Sequence, residues 1–168
     1  MPNILIIYHT QSGNTEQAAK YVSEGAKENT SAAVRRERPW DWSGSRNEED
    51  PDIEVTVKKA EEAGIQDLFK CDGIAIGTPD YFNYMAGMVK DFFDRTFYPA
   101  RGEMNDKPCI TFVTHGGGAK ANESLERICN SFEFKLLQPT VMVKDTPDEK
   151  DEKKLKEAGR LLAEACQK

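Results

Sequence analysis

Ile4-Leu5-Ile6-Ile7-Tyr8-His9-Thr10-Gln11-Ser12-Gly13-Asn14-Thr15 is the stretch that decides how the chain folds. A short apolar run stops abruptly. Small polar residues follow, then Glu16 and an alanine-rich segment in which Ala18, Ala19, Val22 and Ala26 recur at helical spacing. The pattern predicts a strand over residues 3–8, a tight loop and a helix beginning near Gly13. A helix start offers unpaired backbone N–H groups and a positive dipole end, so the loop before it can hold an anion. Thr10, Ser12 and Thr15 add hydroxyls, Gln11 lies between them, Asn14 adds an amide and Gly13 lets the backbone come close.

Residues 10–15 contain no Lys or Arg. A loop that cleaves nucleotides carries Gly-Lys-Ser/Thr, because a lysine and a magnesium ligand must handle the transferring phosphate. This loop also lacks the Gly-x-Gly-x-x-Gly spacing that admits a pyrophosphate. It suits a single terminal phosphomonoester that is held and not reacted, as in FMN. An ordinary capped helix after a buried strand is the alternative, but caps seldom need so many donors in a row.

Residues 6–22 resemble the FMN phosphate signature of the flavodoxin family: an apolar pair, an aromatic, Ser/Thr, a small residue, Thr, then Ala and an aliphatic at fixed offsets. A second stretch sharpens the likeness. Gly77-Thr78-Pro79-Asp80-Tyr81-Phe82-Asn83-Tyr84-Met85-Ala86-Gly87-Met88-Val89-Lys90-Asp91-Phe92-Phe93-Asp94-Arg95-Thr96 resembles the corresponding run of the WrbA family of flavodoxin-like NAD(P)H:quinone oxidoreductases. In that family the Pro-x-Tyr/Arg-Phe turn holds the flavin. The resemblance implies an FMN cofactor, NAD(P)H as electron donor, and a quinone or a redox protein as acceptor. It also shows departures. Asn83 stands where the family often has Gly. Phe97-Tyr98-Pro99-Ala100-Arg101-Gly102 replaces glycines and a tryptophan, with Tyr98 as the stand-in toward the substrate. The family's later histidine has no evident match.

The rest of the chain reads as alternating strands and helices. Ile53-Glu54-Val55-Thr56-Val57-Lys58 alternates apolar and charged residues, as an edge strand does; residues 32–37 are the competing choice. A short helix is expected over 65–70 and a buried strand over 73–79, ended by Pro79. Residues 80–84 read as a loop. A long helix should run to about Phe97, with Met85, Met88, Val89, Phe92, Phe93 and Phe97 in the core. Residues 98–108 read as a loop, then come a strand over 109–114, a glycine-rich turn and a helix carrying Leu125, Ile128, Cys129 and Phe132. A fifth strand is expected over 136–143. In the last helix Thr146 is expected as N-cap with Pro147 first, and Leu155, Ala158, Leu162 and Ala165 face inward.

This alternation predicts an α/β, three-layer, doubly wound fold with a five-stranded parallel sheet, flavodoxin-like, in the order 2-1-3-4-5, forming one domain over residues 1–168. Ligands in such sheets sit beyond the carboxyl ends of the strands. That brings three loops together: residues 10–15; the aromatic segment Pro79, Asp80, Tyr81, Phe82, Asn83 and Tyr84, suited to wall a flat ring; and Thr114, His115, Gly116, Gly117 and Gly118, which offer backbone N–H groups without bulk. His115 also stands as a flavin or substrate contact, and Gly116–Ala121 fits a weak dinucleotide pattern. No catalytic side chain is named, because a flavin carries the hard step itself.

Composition narrows the partners. The 168 residues are 38% hydrophobic and 31% charged, with net charge −6 and pI near 5.1. That argues against nucleic acid or an anionic membrane. No apolar run is long enough to insert in a bilayer, and the N-terminus enters a strand directly, so a cytoplasmic protein without a signal peptide is expected. Cys71, Cys109, Cys129 and Cys166 have no Cys-x-x-Cys spacing and read as reduced, mostly buried thiols. His9 and His115 lack ligand-spaced partners, so no metal is expected. Residues 30–52 mix Arg35-Arg36-Glu37-Arg38, Trp40, Trp42 and an acidic run. They read as a surface loop packing its tryptophans, or as a flap or homo-oligomer contact near the site.

Three functions remain open on this reading. The chain is an NAD(P)H:quinone oxidoreductase or flavin reductase, an electron carrier that uses no pyridine nucleotide, or a flavin-binding protein with a regulatory or assembly role.

Overall fold

The structure is a computed structural model; it describes residues 1–28 and 53–168. The expectations placed on residues 30–52, and the alternative strand at 32–37, lie outside the described residues. The element order is β1 (Asn3–Tyr8), α1 (Asn14–Glu28), β2 (Glu54–Lys59), α2 (Ile65–Lys70), β3 (Gly73–Tyr81), β4 (Tyr84–Met85), α3 (Gly87–Ala100), β5 (Pro108–His115), α4 (Ala121–Ser131), β6 (Lys135–Leu136), β7 (Val141–Lys144) and α5 (Glu149–Cys166).

Four long parallel strands stand in the order β2-β1-β3-β5. Ile7 lies opposite Lys58 on one side and Ile76 on the other, and Ile76 lies opposite Thr111. Both β6 and β7 pair with β5. Together they fill the place of the expected fifth strand, so the doubly wound order is kept. The strand is broken because Pro139 has no N–H to give the ladder. The side chain of Thr140 replaces it, meeting Thr111 Oγ1 at 2.7 Å and donating to Glu126 Oε1 at 2.6 Å.

Alternation along β1 builds two cores. Leu5 and Ile7 face Leu68, Val89, Phe92, Phe93, Leu125 and Cys129 of α2, α3 and α4. Ile4, Ile6 and Tyr8 face Ala18, Ala19, Val22 and Ala26 of α1 and Leu155, Ala158 and Leu162 of α5. On the second face the two helices meet backbone to backbone. A methyl group at Gly25 would lie 2.0 Å from the carbonyl oxygen of Lys156, and one at Gly159 would lie 2.1 Å from that of Val22.

Several boundaries differ from expectation. Pro79 does not end β3. It pairs in register with Thr114 of β5, and the strand continues to Tyr81 before folding back on β4. Residues 80–84 are therefore a tight hairpin. Helix α3 runs past Phe97 to Ala100 with Pro99 in its last turn, and Met88 on it is 45% exposed, not core. The cap of α5 is Asp148, which accepts the Asp151 N–H at 2.9 Å, in place of Thr146. Ala165 is only half-buried, and Ala163 takes its inward place.

Candidate functional site

The long strands run parallel and end at the same edge of the sheet, so the loops after β1, β3 and β5 converge there. In the first loop Gly13 has φ +93, a conformation open to glycine, and its side toward solvent is clear. The Thr10 hydroxyl accepts the Gly13 N–H at 2.9 Å. This folds residues 10–13 into a cap over the start of α1, whose first helical bond runs from the Gln17 N–H to the Gly13 carbonyl. The N–H groups of Asn14, Thr15 and Glu16 are the first-turn donors that an α-helix leaves without an intrahelical acceptor. Gln11 and Ser12 are exposed, and Asn14 is half-buried.

Thr15 differs from expectation. Its side chain is 1% exposed, and its hydroxyl lies 2.8 Å from that of Thr114. The pair joins the first loop to the third, so Thr15 offers an anion its backbone alone, and Thr114, 4% exposed, serves the same buried tie. Sequence reasoning missed Thr146, which reaches in from the β7–α5 loop and donates to Asn14 Oδ1 at 3.2 Å. With that oxygen occupied, the Asn14 amide donors turn away from Thr146. No spacing along the chain marks this contact, because it joins positions 14 and 146.

The second loop is a two-residue turn between paired Tyr81 and Tyr84. Phe82 has φ +58 and Asn83 φ +60, the pattern of a type I′ hairpin turn. Asn tolerates this region, which accounts for its place where the WrbA family often has Gly. Phe does not, and Phe82 is also fully exposed to solvent. Pro79 is buried beneath the turn and Tyr81 is half-buried. Burial holds the Tyr81 phenol above its ordinary range. Asp80 is half-buried and accepts three backbone N–H bonds, from Asn83, Lys120 and Ala121.

The third loop leaves Gly116, Gly117 and Gly118 exposed, with open space beside each. His115 Nδ1 is buried without a partner. On the β2 side His9 lies 3.8 Å from Glu61 and meets Tyr81 edge-on, ring centroids 6.2 Å apart. Behind it the Tyr8 hydroxyl donates to Glu16 at 3.2 Å. Burial first, and the Glu16 carboxylate second, raise the Tyr8 phenol.

Tyr98 does not join these loops. It stands eleven residues beyond the start of α3, about 16 Å along the helix axis. There it is 77% exposed and lines a cavity with Phe132 and Glu133 at the end of α4.

The arrangement brings a helix start with free N–H groups, an aromatic hairpin and a bare glycine loop to one edge of the sheet. A family model described as NADPH-dependent FMN reductase matches residues 2–148. The chain belongs to that family. The FMN-reductase family match spans β1 through the start of the last helix, including all three loops. Among curated relatives, a flavodoxin of Aquifex aeolicus (strain VF5) is 29% identical over 123 residues, covering 73% of this chain and 55% of its own. An NAD(P)H dehydrogenase (quinone) of Acidithiobacillus ferrooxidans is 34% identical over 96 residues, covering 57% and 48%. The chain thus spans about half the length of the curated relatives it matches. An archaeal flavodoxin superposes with TM-score 0.80 at 17% identity over 99% of both chains. A WrbA-like protein of Agrobacterium tumefaciens superposes with TM-score 0.74 at 19% identity, over 99% of this chain and 98% of its own. At those identities the structures speak for the fold, which is flavodoxin-like.

Proposed function

We propose that this FMN-reductase family member binds FMN across its three loops and acts as a cytoplasmic, single-domain NAD(P)H oxidoreductase with a quinone or flavin as acceptor. The observation that carries the reading is the family match over residues 2–148, the same span that holds the three loops. The residues fit the cofactor. The start of α1, with Thr10, Ser12 and the Asn14 amide, would hold the phosphate. Phe82, strained and exposed, would supply an aromatic wall, and His115, whose Nδ1 is buried without a partner, would offer a polar contact. Bound FMN would supply the two-electron chemistry, taking hydride from NAD(P)H and passing electrons on. The chain's own part is to position the ring and to hold the phosphate without a basic side chain.

A second reading is an electron carrier. The Aquifex flavodoxin covers more of this chain than the quinone dehydrogenase does, and the archaeal flavodoxin matches it end to end. The test is anaerobic: load the protein with FMN, add NADPH or NADH, and follow the flavin's visible absorbance. Rapid bleaching, reversed by a quinone, is the expected result. A flavin that stays yellow with both nucleotides yet bleaches with dithionite would replace the reductase with the carrier, and failure to bind FMN would end both.

A further inference from the structure

The helix after the glycine loop has no cap of its own. Its N-cap residue, Lys120, makes no side-chain capping bond. The capping group arrives from another element: Asp80, at the end of β3, accepts the N–H groups of Lys120 and Ala121 on Oδ2, both at 2.8 Å. The other oxygen, Oδ1, accepts the N–H of Asn83 at 2.9 Å, inside the strained turn. One carboxylate therefore closes the left-handed hairpin that carries Phe82 and, forty residues on, anchors the loop of Gly116, Gly117 and Gly118. These are the two walls of the proposed flavin slot.

We propose that Asp80 is a positioning residue: it fixes the spacing between the two walls and holds Phe82 in its left-handed conformation before any ligand arrives. This rests on the reading that FMN occupies the slot. The chemistry requires a carboxylate. Two acceptor oxygens serve two sets of donors, and charge-assisted bonds to backbone N–H are stronger than neutral ones. An asparagine keeps the shape but offers one carbonyl oxygen. Its amide NH2 must then face one of the N–H groups, so one wall comes loose.

A second trans-cap in the same chain provides the control. Lys107 Nζ donates to the carbonyls of Leu68 (3.0 Å) and Cys71 at the end of α2. It sits just before β5, about 25 Å along that strand from the slot. Asp80→Asn and Lys107→Met each unhook one helix end, but only the first touches the slot.

The experiment titrates FMN by quenching of its fluorescence in wild type, Asp80→Asn and Lys107→Met. It also records the visible circular dichroism of bound flavin, the melting temperature and amide hydrogen exchange of the free proteins. Asp80→Asn is expected to weaken FMN by about tenfold or more and to change the flavin's dichroism, while Lys107→Met stays within about twofold of wild type at a comparable loss of melting temperature. Equal affinities for wild type and Asp80→Asn, or equal losses in both variants, would overturn the proposal. Wild type that binds no FMN would sink the cofactor reading instead. Exchange then decides the bracket: joint loss of protection at Asn83, Lys120 and Ala121 in Asp80→Asn upholds it, and unchanged protection overturns it. If Asp80→Asn does not fold, Asp80→Glu keeps the charge, displaces the walls by a methylene and is expected to bind FMN more weakly than wild type; equal binding would overturn the proposal.

Discussion

Phe82 sets a local preference against a ligand. Its φ of +58 costs a bulky residue on the order of 1–3 kcal/mol, and full exposure returns nothing from burial. Phe82→Gly is therefore expected to stabilise the free protein by about 1 kcal/mol in urea unfolding while weakening FMN in the fluorescence titration. A variant that loses stability would show that the turn is not strained. The Thr15–Thr114 tie behaves differently. Thr114→Val keeps the shape but leaves the Thr15 hydroxyl buried and unpaired, for a loss of about 1–3 kcal/mol. The double variant with Thr15→Val should recover much of that loss, and a double-mutant cycle measures it. The strand, loop and helix start over residues 3–15 were legible because the apolar run, the glycine and the helical spacing are all local. The inward turn of Thr15 was not, since the partner lies 99 residues away.

Among elements, the α1–α5 contact is the least forgiving. Gly159→Ala places a methyl against the Val22 carbonyl, where only backbone movement makes room. A destabilisation of about 3 kcal/mol is expected in thermal unfolding. Gly64→Ala, with open space beside it at the N-cap of α2, should lose only the cap preference, about 0.5–1 kcal/mol. Element types were legible: β1, β2, α2 and the last helix stand within a residue or two of their periodicity. Three ends were not. Pro79 looks like a stop, yet its place in β3 is held by pairing with Thr114. Pro99 suggests a loop, but α3 closes its last turn past it, the Arg101 N–H reaching the Tyr98 carbonyl. Thr146 fits a capping box, but Asp148 competes and wins, forming a box of its own with Asp151.

At the scale of the molecule, the four thiols gather at the end of the sheet away from the slot. Cys71, Cys109 and Cys129 are buried and Cys166 is half-buried, all free. Burial pushes the Cys71 thiol up to about 11 and the Cys166 thiol up to about 12, and raises Cys109 further. An unfolded thiol titrates near 9. Below that pH both states keep their protons and stability is unaffected. Between about 9 and 12 the unfolded chain releases protons that the folded chain retains, so stability falls as pH rises. Cys166→Ala is expected to flatten that decline in denaturant midpoints measured across the window, and an unchanged slope would count against the burial argument. The fold as a whole was legible because alternation and periodicity are averages over many residues. The loops at the sheet edge were legible only in part: their residues are named by motif, but the Asp80 bonds that join two of them depend on where β3 stops, which no motif fixes.

The glycine seam between α1 and α5 also orders events during synthesis. Gly25 and Gly159 are 134 positions apart, the difference of their residue numbers. The helix that presents the anion loop thus leaves the ribosome long before the surface meant to cover its second face. Until residue 159 follows, Ala18, Val22 and Ala26 have only the strands to lie on, and the nascent chain carries a bare apolar stripe for most of its translation.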